Sequence, residues 1–353
     1  MGRPAALTPP SGGLFRFRPS AGDGCPAELA KFVTTLKPVV KRLVLASPRG
    51  YCAGVERAVE TVERALELYG APVYVRKQIV HNAHVVHELE ERGAVFVETE
   101  AEVPWGAPVV FSAHGVAPSV YERARARRLR TIDATCPLVS KVHAEARHYA
   151  GLGYTIFLIG HAGHEEVEGT MGEAPDSMVL VESVEQAATV TAPRTERLVY
   201  LTQTTLSVDD TGEIVRVLRG RFPSLEAPPK EDICYATTNR QRAVKRLLGA
   251  VDLLLVIGSR NSSNSNRLVE VARAGGVAAH LIEDESEIEE AWLEGIESVG
   301  LTSGASAPES LVRRVVGWFR ERGVSRVEAL DAIAEDVFFK LPREVRADAV
   351  TRT

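Results

Sequence analysis

The chain has 353 residues, enough for two or three domains with cores of their own, and at 45% hydrophobic and 25% charged it is composed like an ordinary soluble globular protein. A net charge of −5 argues against a general nucleic-acid binder, which is usually basic, and leaves room for a local anion pocket. Four cysteines are too few for a disulfide scaffold, no signal peptide is evident, and the longest apolar runs, such as Val251–Ile257, are strand-length, so the expected setting is the reducing cytoplasm and not a membrane.

Residues 1–40 form a Pro/Gly-rich, Arg-containing stretch. Its composition resembles an organellar leader, but Pro4, Pro9, Pro10 and Pro19 spoil an amphipathic helix, so a disordered extension is expected. Cys25 lies there and is given no role.

From Lys41 the chain alternates strand, polar turn and helix. Strands are predicted at Leu43–Ala46, Val73–Val75, Val109–Ser112, Thr155–Ile159, Leu198–Leu201, Leu253–Ile257 and Ser298–Leu301. Helical periodicity fills the intervals, as at Val55–Tyr69, Val139–Ala150, Asp209–Leu218, Asn239–Leu248, Ser265–Ala274 and Ala307–Arg322. This pattern implies α/β layers with mainly parallel sheets. Cys52, Cys136 and Cys234 fall at roughly equal intervals, which suggests three similar α/β units at 41–135, 136–233 and 234–330. Residues 331–353 read as a segment packing back on the body, fraying from Arg343.

Each of these cysteines sits in a turn ahead of a helical pattern, where backbone N–H groups and the helix dipole favour a thiolate. A small buried hydrophobe is the ordinary reading of a free cysteine, and the spacing alone leaves that open. Three converging thiolates could instead hold zinc or an iron–sulfur cluster, and three ligands on four irons would leave one iron open.

Polar residues cluster after the predicted strands, where ligands of open α/β sheets bind. His81, His114, His164, Thr204, Ser262, Ser263, Asn264 and Ser306 all occupy such positions. Hydroxyls, amides and helix N-termini suit a phosphate or diphosphate, with imidazolium adding tunable charge. Glu166 is the acid–base candidate. Arg49 and Arg76 could steer an anion, although surface arginine is their default reading.

The words Pro-Arg-Gly-Tyr-Cys-Ala-Gly-Val, Phe-Ser-Ala-His-Gly-Val, Asp-Ala-Thr-Cys-Pro-Leu-Val, Gly-His-Glu-Glu-Val-Glu-Gly-Thr, Thr-Gln-Thr-Thr-Leu-Ser, Ile-Cys-Tyr-Ala-Thr-Thr-Asn and Asn-Ser-Ser-Asn-Ser-Asn-Arg resemble the 4-hydroxy-3-methylbut-2-enyl diphosphate reductase family, the last step of the non-mevalonate isoprenoid pathway. The resemblance covers about Leu43 to Pro342. It implies three α/β domains in a trefoil around one 4Fe–4S cluster per chain, with Cys52, Cys136 and Cys234 as its three ligands and an open apical iron. It implies His81, His114, His164, Ser262, Ser263, Asn264 and Ser306 as substrate binders, and Glu166 with Thr204 as proton-delivery residues. Whether Thr204 or Thr205 faces the substrate is not settled by the words. The implied reaction is a two-electron reductive dehydroxylation giving isopentenyl and dimethylallyl diphosphate, with ferredoxin or flavodoxin as electron donor. Tyr51 and Ser303 depart from the family's usual Phe and Ala without removing a ligand. Two other classes compete: a zinc-dependent phosphoester hydrolase, and a non-catalytic diphosphate-binding protein.

Overall fold

The computed structural model describes residues 40–330 and 333–346. The expected extension up to Val39, Cys25 within it, and the tail beyond Arg346 lie outside the described residues.

The first passage of the chain is β1 (Arg42–Leu45), α1 (Ala53–Tyr69), β2 (Val73–Arg76), α2 (Ala83–Glu91), β3 (Ala94–Val97), β4 (Pro108–Phe111), α3 (Pro118–Ala126) and β5 (Arg130–Asp133). Next come α4 (Pro137–Gly151), β6 (Thr155–Ile159), α5 (Glu165–Met171), β7 (Met178–Val181), α6 (Val184–Thr189), β8 (Leu198–Thr202), α7 (Val208–Arg221) and β9 (Leu225–Glu226). The last passage is α8 (Tyr235–Leu247), β10 (Leu253–Ile257), α9 (Ser263–Ala274), β11 (Ala278–Ile282), β12 (Ser298–Ser303), α10 (Glu309–Glu321) and β13 (Arg326–Ala329).

The fold is α/β, as the alternation predicts, with three sheets whose strand pairs are all parallel. Their orders are β3-β2-β4-β5, β7-β6-β8-β9 and β11-β10-β12-β1-β13. Parallel sheets are covered on both faces, so their inner strands read as unbroken apolar runs. In β10, Leu253, Leu255 and Ile257 enter one core while Leu254 and Val256 enter the core on the opposite face. β6 divides the same way, with Ile156 and Leu158 on one side and Phe157 and Ile159 on the other.

The sheet orders correct the expected first unit. The predicted strand Leu43–Ala46 stands at its head, yet β1 pairs with β12 and β13 in the sheet built from the last third of the chain. It fills there the place that β5 and β9 fill in the other two sheets, so the chain's first strand completes its last sheet. The physical reason lies in the helices. α1 packs on β2 and β4 through Ala58, Val62 and Ala65, so its strand and its helix belong to different layers.

Leu341 packs against the core beneath α1, and Val345 is fully buried there. Fraying from Arg343 is therefore corrected: a short 3-10 turn at Arg343–Val345 anchors the segment through that valine.

Candidate active site

The same local construction occurs three times. Cys52, Cys136 and Cys234 are the N-cap residues of α1, α4 and α8. Each cysteine N–H donates to a carbonyl two residues beyond the end of a neighbouring strand: Cys52 to Ala305 at 3.2 Å, Cys136 to Ala113 at 2.9 Å and Cys234 to Thr204 at 3.1 Å. The strands concerned, β12, β4 and β8, are the sheet partners of β1, β5 and β9, which lead towards the cysteines. Parallel pairing thus delivers each thiol to the carboxyl end of its sheet.

All three cysteines line one cavity of about 100 Å³. A Cβ placed on Gly54 would stand 2.7 Å from Cys136 Sγ and 3.8 Å from Cys52 Sγ, so the missing side chain is what lets the two sulfurs approach. Burial pushes the Cys136 and Cys234 thiols up to about 12 and about 11, and the charge of Cys52 adds to both. The helix-start environment was expected to favour thiolates, but burial outweighs it. Thiolates here need a cation to neutralise them, and a bound metal supplies one. Three thiols offered from three helix starts to one cavity fit a cluster that would take each thiolate on a different iron.

Glu166, only 2% exposed, faces the same cavity from the first turn of α5. Its carboxylate accepts from the Thr204 N–H at 2.6 Å and pairs with the Thr204 hydroxyl at 3.0 Å. Burial raises its pKa, and the two Thr204 hydrogen bonds oppose that. Thr205 also lines the cavity, but its hydroxyl accepts from the Gln203 amide. Among the described residues Thr204 is the threonine bonded to the Glu166 side chain.

His164 caps α5: its Nδ1 accepts from the Glu166 N–H at 3.2 Å. That bond leaves Nε2 as the protonated nitrogen of the neutral ring. His81 and His114 stack with centroids 4.0 Å apart and an 18° tilt, and His164 stands edge-on to both. His81, His114 and Glu165 present ligand atoms within 4.8 Å of one another. In stacked rings, however, an ion in the plane of one imidazole lies out of the plane of the other, so this group is a poor metal seat.

Imidazolium was expected to supply the pocket's positive charge. In the ligand-free pocket burial and the neighbouring histidines push His81 down to about 2, and His164 to about 4. Both rings are therefore neutral until an anion arrives. Between pH 6.5 and these lowered values the unfolded chain binds protons that the fold excludes. Their stabilisation is complete above 6.5 and is lost as pH falls. The ligand-free His81→Gln variant is expected to lose less melting temperature than the parent between pH 6.5 and 4; parallel curves would refute this.

The anion end of the cavity is built on α9. Ser262 is its N-cap, accepting from the Ser265 N–H at 3.3 Å, and Ser263 and Asn264 follow in the first turn. A Cβ on either Gly258 or Gly304 would fall 2.1 Å from Ser265 Oγ, so two glycine-backed loops close on this helix start. Asn264 accepts from the Ala305 N–H at 2.9 Å and donates to Thr237 Oγ1, which lies 3.2 Å from Cys234 Sγ. Ser306 donates to the His81 carbonyl at 2.9 Å. A twelve-residue helix presenting its N-terminus suits an anion.

The structure brings all twelve sequence-predicted residues to this cavity: Cys52, Cys136, Cys234, His81, His114, His164, Glu166, Thr204, Ser262, Ser263, Asn264 and Ser306. Arg49 and Arg76 stay outside, the first paired with Glu309 and the second with Glu100. Sequence reasoning missed Thr237 and Gly54. Thr237 stands three residues after Cys234, the spacing of an N-cap partner, and that signal was available.

Parallel sheets that bring three thiols, a buried carboxylate and a helix N-terminus to one cavity are the architecture of an α/β enzyme. The chain matches the LytB protein family model over residues 43–320 and belongs to that family of iron–sulfur oxidoreductases. A relative from Acidothermus cellulolyticus, named 4-hydroxy-3-methylbut-2-enyl diphosphate reductase, is 62% identical over 91% of this chain and 95% of its own length. One of the same name from Nocardia farcinica is 58% identical over 91% of this chain and 96% of its own. The solved Plasmodium falciparum reductase superposes with a TM-score of 0.84 at 40% identity, covering 87% of this chain and 97% of that one. A second solved structure, described as the terminal enzyme of the non-mevalonate pathway, gives a TM-score of 0.58 at 31% identity over 80% of this chain and all of that one. No helix among the described residues is long and apolar enough to cross a membrane.

Proposed function

We propose that the chain reduces 4-hydroxy-3-methylbut-2-enyl diphosphate to isopentenyl and dimethylallyl diphosphate in the cytoplasm. Cys52, Cys136 and Cys234 would hold one 4Fe–4S cluster per chain. The observation that carries this reading is that three N-cap thiols from three helices share a cavity with the buried Glu166–Thr204 pair and the α9 anion seat. When bound, the cluster would supply the two electrons, received from ferredoxin or flavodoxin, and Lewis acidity toward the C4 hydroxyl.

The chain's own groups do the rest. The reaction consumes two electrons and two protons and releases water. Glu166 gives one proton to the departing hydroxyl through Thr204, whose Oγ1 already pairs with its carboxylate. The second proton is placed on either of two allylic carbons, which yields the two products. Ser262, Ser263, Asn264 and Ser306 bind the diphosphate with His81 and His114, and His164 donates from Nε2. An arriving diphosphate raises the histidine pKa values, so the pocket gains positive charge as it fills.

A merely binding protein has no use for a buried carboxyl bonded to a threonine hydroxyl. The test is anaerobic purification with iron and sulfide counted, then reduction of the diphosphate substrate. Brown protein with about four irons per chain and dithionite-dependent turnover is expected. Colourless, zinc-loaded protein would overturn the proposal.

A further inference from the structure

The three cysteine-capped helices share a second feature. Each carries a cation in its second turn that reaches the backbone ahead of a different cysteine. On α1, Arg57 donates through Nη1 to the carbonyls of Ala134 at 2.9 Å and Thr135 at 3.0 Å, just before Cys136. On α4, Lys141 donates to the Lys230 carbonyl at 2.7 Å and to Asp232 Oδ1 at 2.6 Å, just before Cys234. On α8, Arg240 donates to the Gly50 carbonyl at 2.7 Å, just before Cys52. The three links form a closed cycle: the helix after each cysteine grips the approach to the next, and the last grips the first.

We propose that Arg57, Lys141 and Arg240 are positioning residues that together fix the three thiol-bearing turns at the spacing the cluster requires. This inference rests on the cluster reading given above. Its physical basis is a gap in the sheets. Hydrogen bonding within each sheet ties a cysteine to its own layer, through Ala305, Ala113 or Thr204. It does not tie one layer's cysteine to another's; that falls to the helices, each of which leaves a cysteine and packs on the next sheet, where its cation fixes it to the turn before that sheet's cysteine. Charge-assisted hydrogen bonds are also stronger than neutral ones, which suits them to hold turns that carry thiolates.

The cycle is braced from outside. Arg57 Nε also donates to the Lys340 carbonyl at 2.8 Å, and Arg240 pairs with Glu335 at 3.4 Å. The C-terminal segment thus ties two of the three links. Lys141 is neutralised by Asp232 and Glu145. Asp133 and Glu344 lie near Arg57 and favour its charge, against the cost of burial.

Arg240 is fully buried, and its loss could unfold the chain, so the partly exposed links carry the test. Full-length Arg57→Met and Lys141→Met are purified anaerobically beside the parent and Lys141→Arg. Iron and sulfide, the rate of cluster loss to a chelator and the melting temperature of the metal-free chains are measured. Residues behind metal ligands typically change metal affinity about 10- to 100-fold. Both Met variants are expected to lose cluster at least about tenfold faster, with metal-free melting temperatures near the parent's. Lys141→Arg is expected to restore the slow rate. Parental rates in both Met variants would overturn the proposal. So would faster loss that tracks a lower metal-free melting temperature, since the cations would then only stabilise the fold. A parent without iron and sulfide would instead sink the cluster reading.

Discussion

Glu166→Gln is expected to retain the cluster and bind substrate while turnover falls by about 10²- to 10⁴-fold, the usual span for removing a general acid. Glutamine fills the same buried volume. Its carbonyl can accept from the Thr204 N–H, and its amide can donate to the Thr204 hydroxyl, so both contacts of the native pair are replaced. What is lost is the exchangeable acid proton. The loss belongs in kcat with KM little changed, because the group acts on the departing hydroxyl and not on the diphosphate. Burial raises the Glu166 pKa, so the parent's kcat should decline at high pH as that carboxyl ionises, and the variant should lack this limb. Activity within about tenfold of the parent, or an unchanged pH profile, would remove Glu166 from its assigned role.

How far the fold can be read from the sequence divides cleanly by strand position. The seven predicted strands correspond to β1, β2, β4, β6, β8, β10 and β12, which are the inner strands of the three sheets. The six left unpredicted, β3, β5, β7, β9, β11 and β13, are the edges. An inner strand is covered on both faces and flanked on both sides, so every residue is driven apolar, as in Leu253–Ile257. An edge strand is freer. Arg130–Asp133 alternates around a single buried Ile132, and Arg326–Ala329 has no fully buried residue. These two segments lack the continuous run that the sequence reading relied on, whereas β3 (Ala94–Val97) and β7 (Met178–Val181) are apolar throughout and were missed all the same.

Within the site, what was legible was chemistry that stays local. Each cysteine stands in a turn before a helix, and each polar loop follows a strand. What was hidden depends on partners far away in sequence. The expected imidazolium charge failed because His81 and His114 stack from loops on different strands, and burial of that kind leaves no trace in either loop alone. The cations Arg57, Lys141 and Arg240 act across 77, 91 and 190 residues, so nothing in their own helices marks them. The placement of β1 was misread for the same reason: nothing in Leu43–Leu45 says which sheet has room for it.

Gly54→Ala is expected to split fold stability from cluster assembly. At most helix positions alanine stabilises relative to glycine by roughly 0.5–1 kcal/mol, through reduced unfolded-state freedom. Position 54 differs because the added Cβ would meet Cys136 Sγ at 2.7 Å. In the metal-free chain that sulfur is the end of a short side chain and can turn away, since the Cβ of Cys136 is at an ordinary 3.4 Å. The fold should therefore melt at the parent's temperature or slightly above it. A cluster needs the sulfur where the new methyl would be, and a ligand rotated away cannot bind. Iron and sulfide should fall to a small fraction of the parent's, and turnover with them. Gly212→Ala is the control, because it lies within α7 where an added Cβ would meet nothing within 4 Å, and it should keep its iron. A fully loaded Gly54→Ala protein would mean that Cys136 does not bind the metal from the rotamer seen here. Loss of iron together with a collapse in metal-free melting temperature would mean that the glycine serves helix packing, not the thiol cradle.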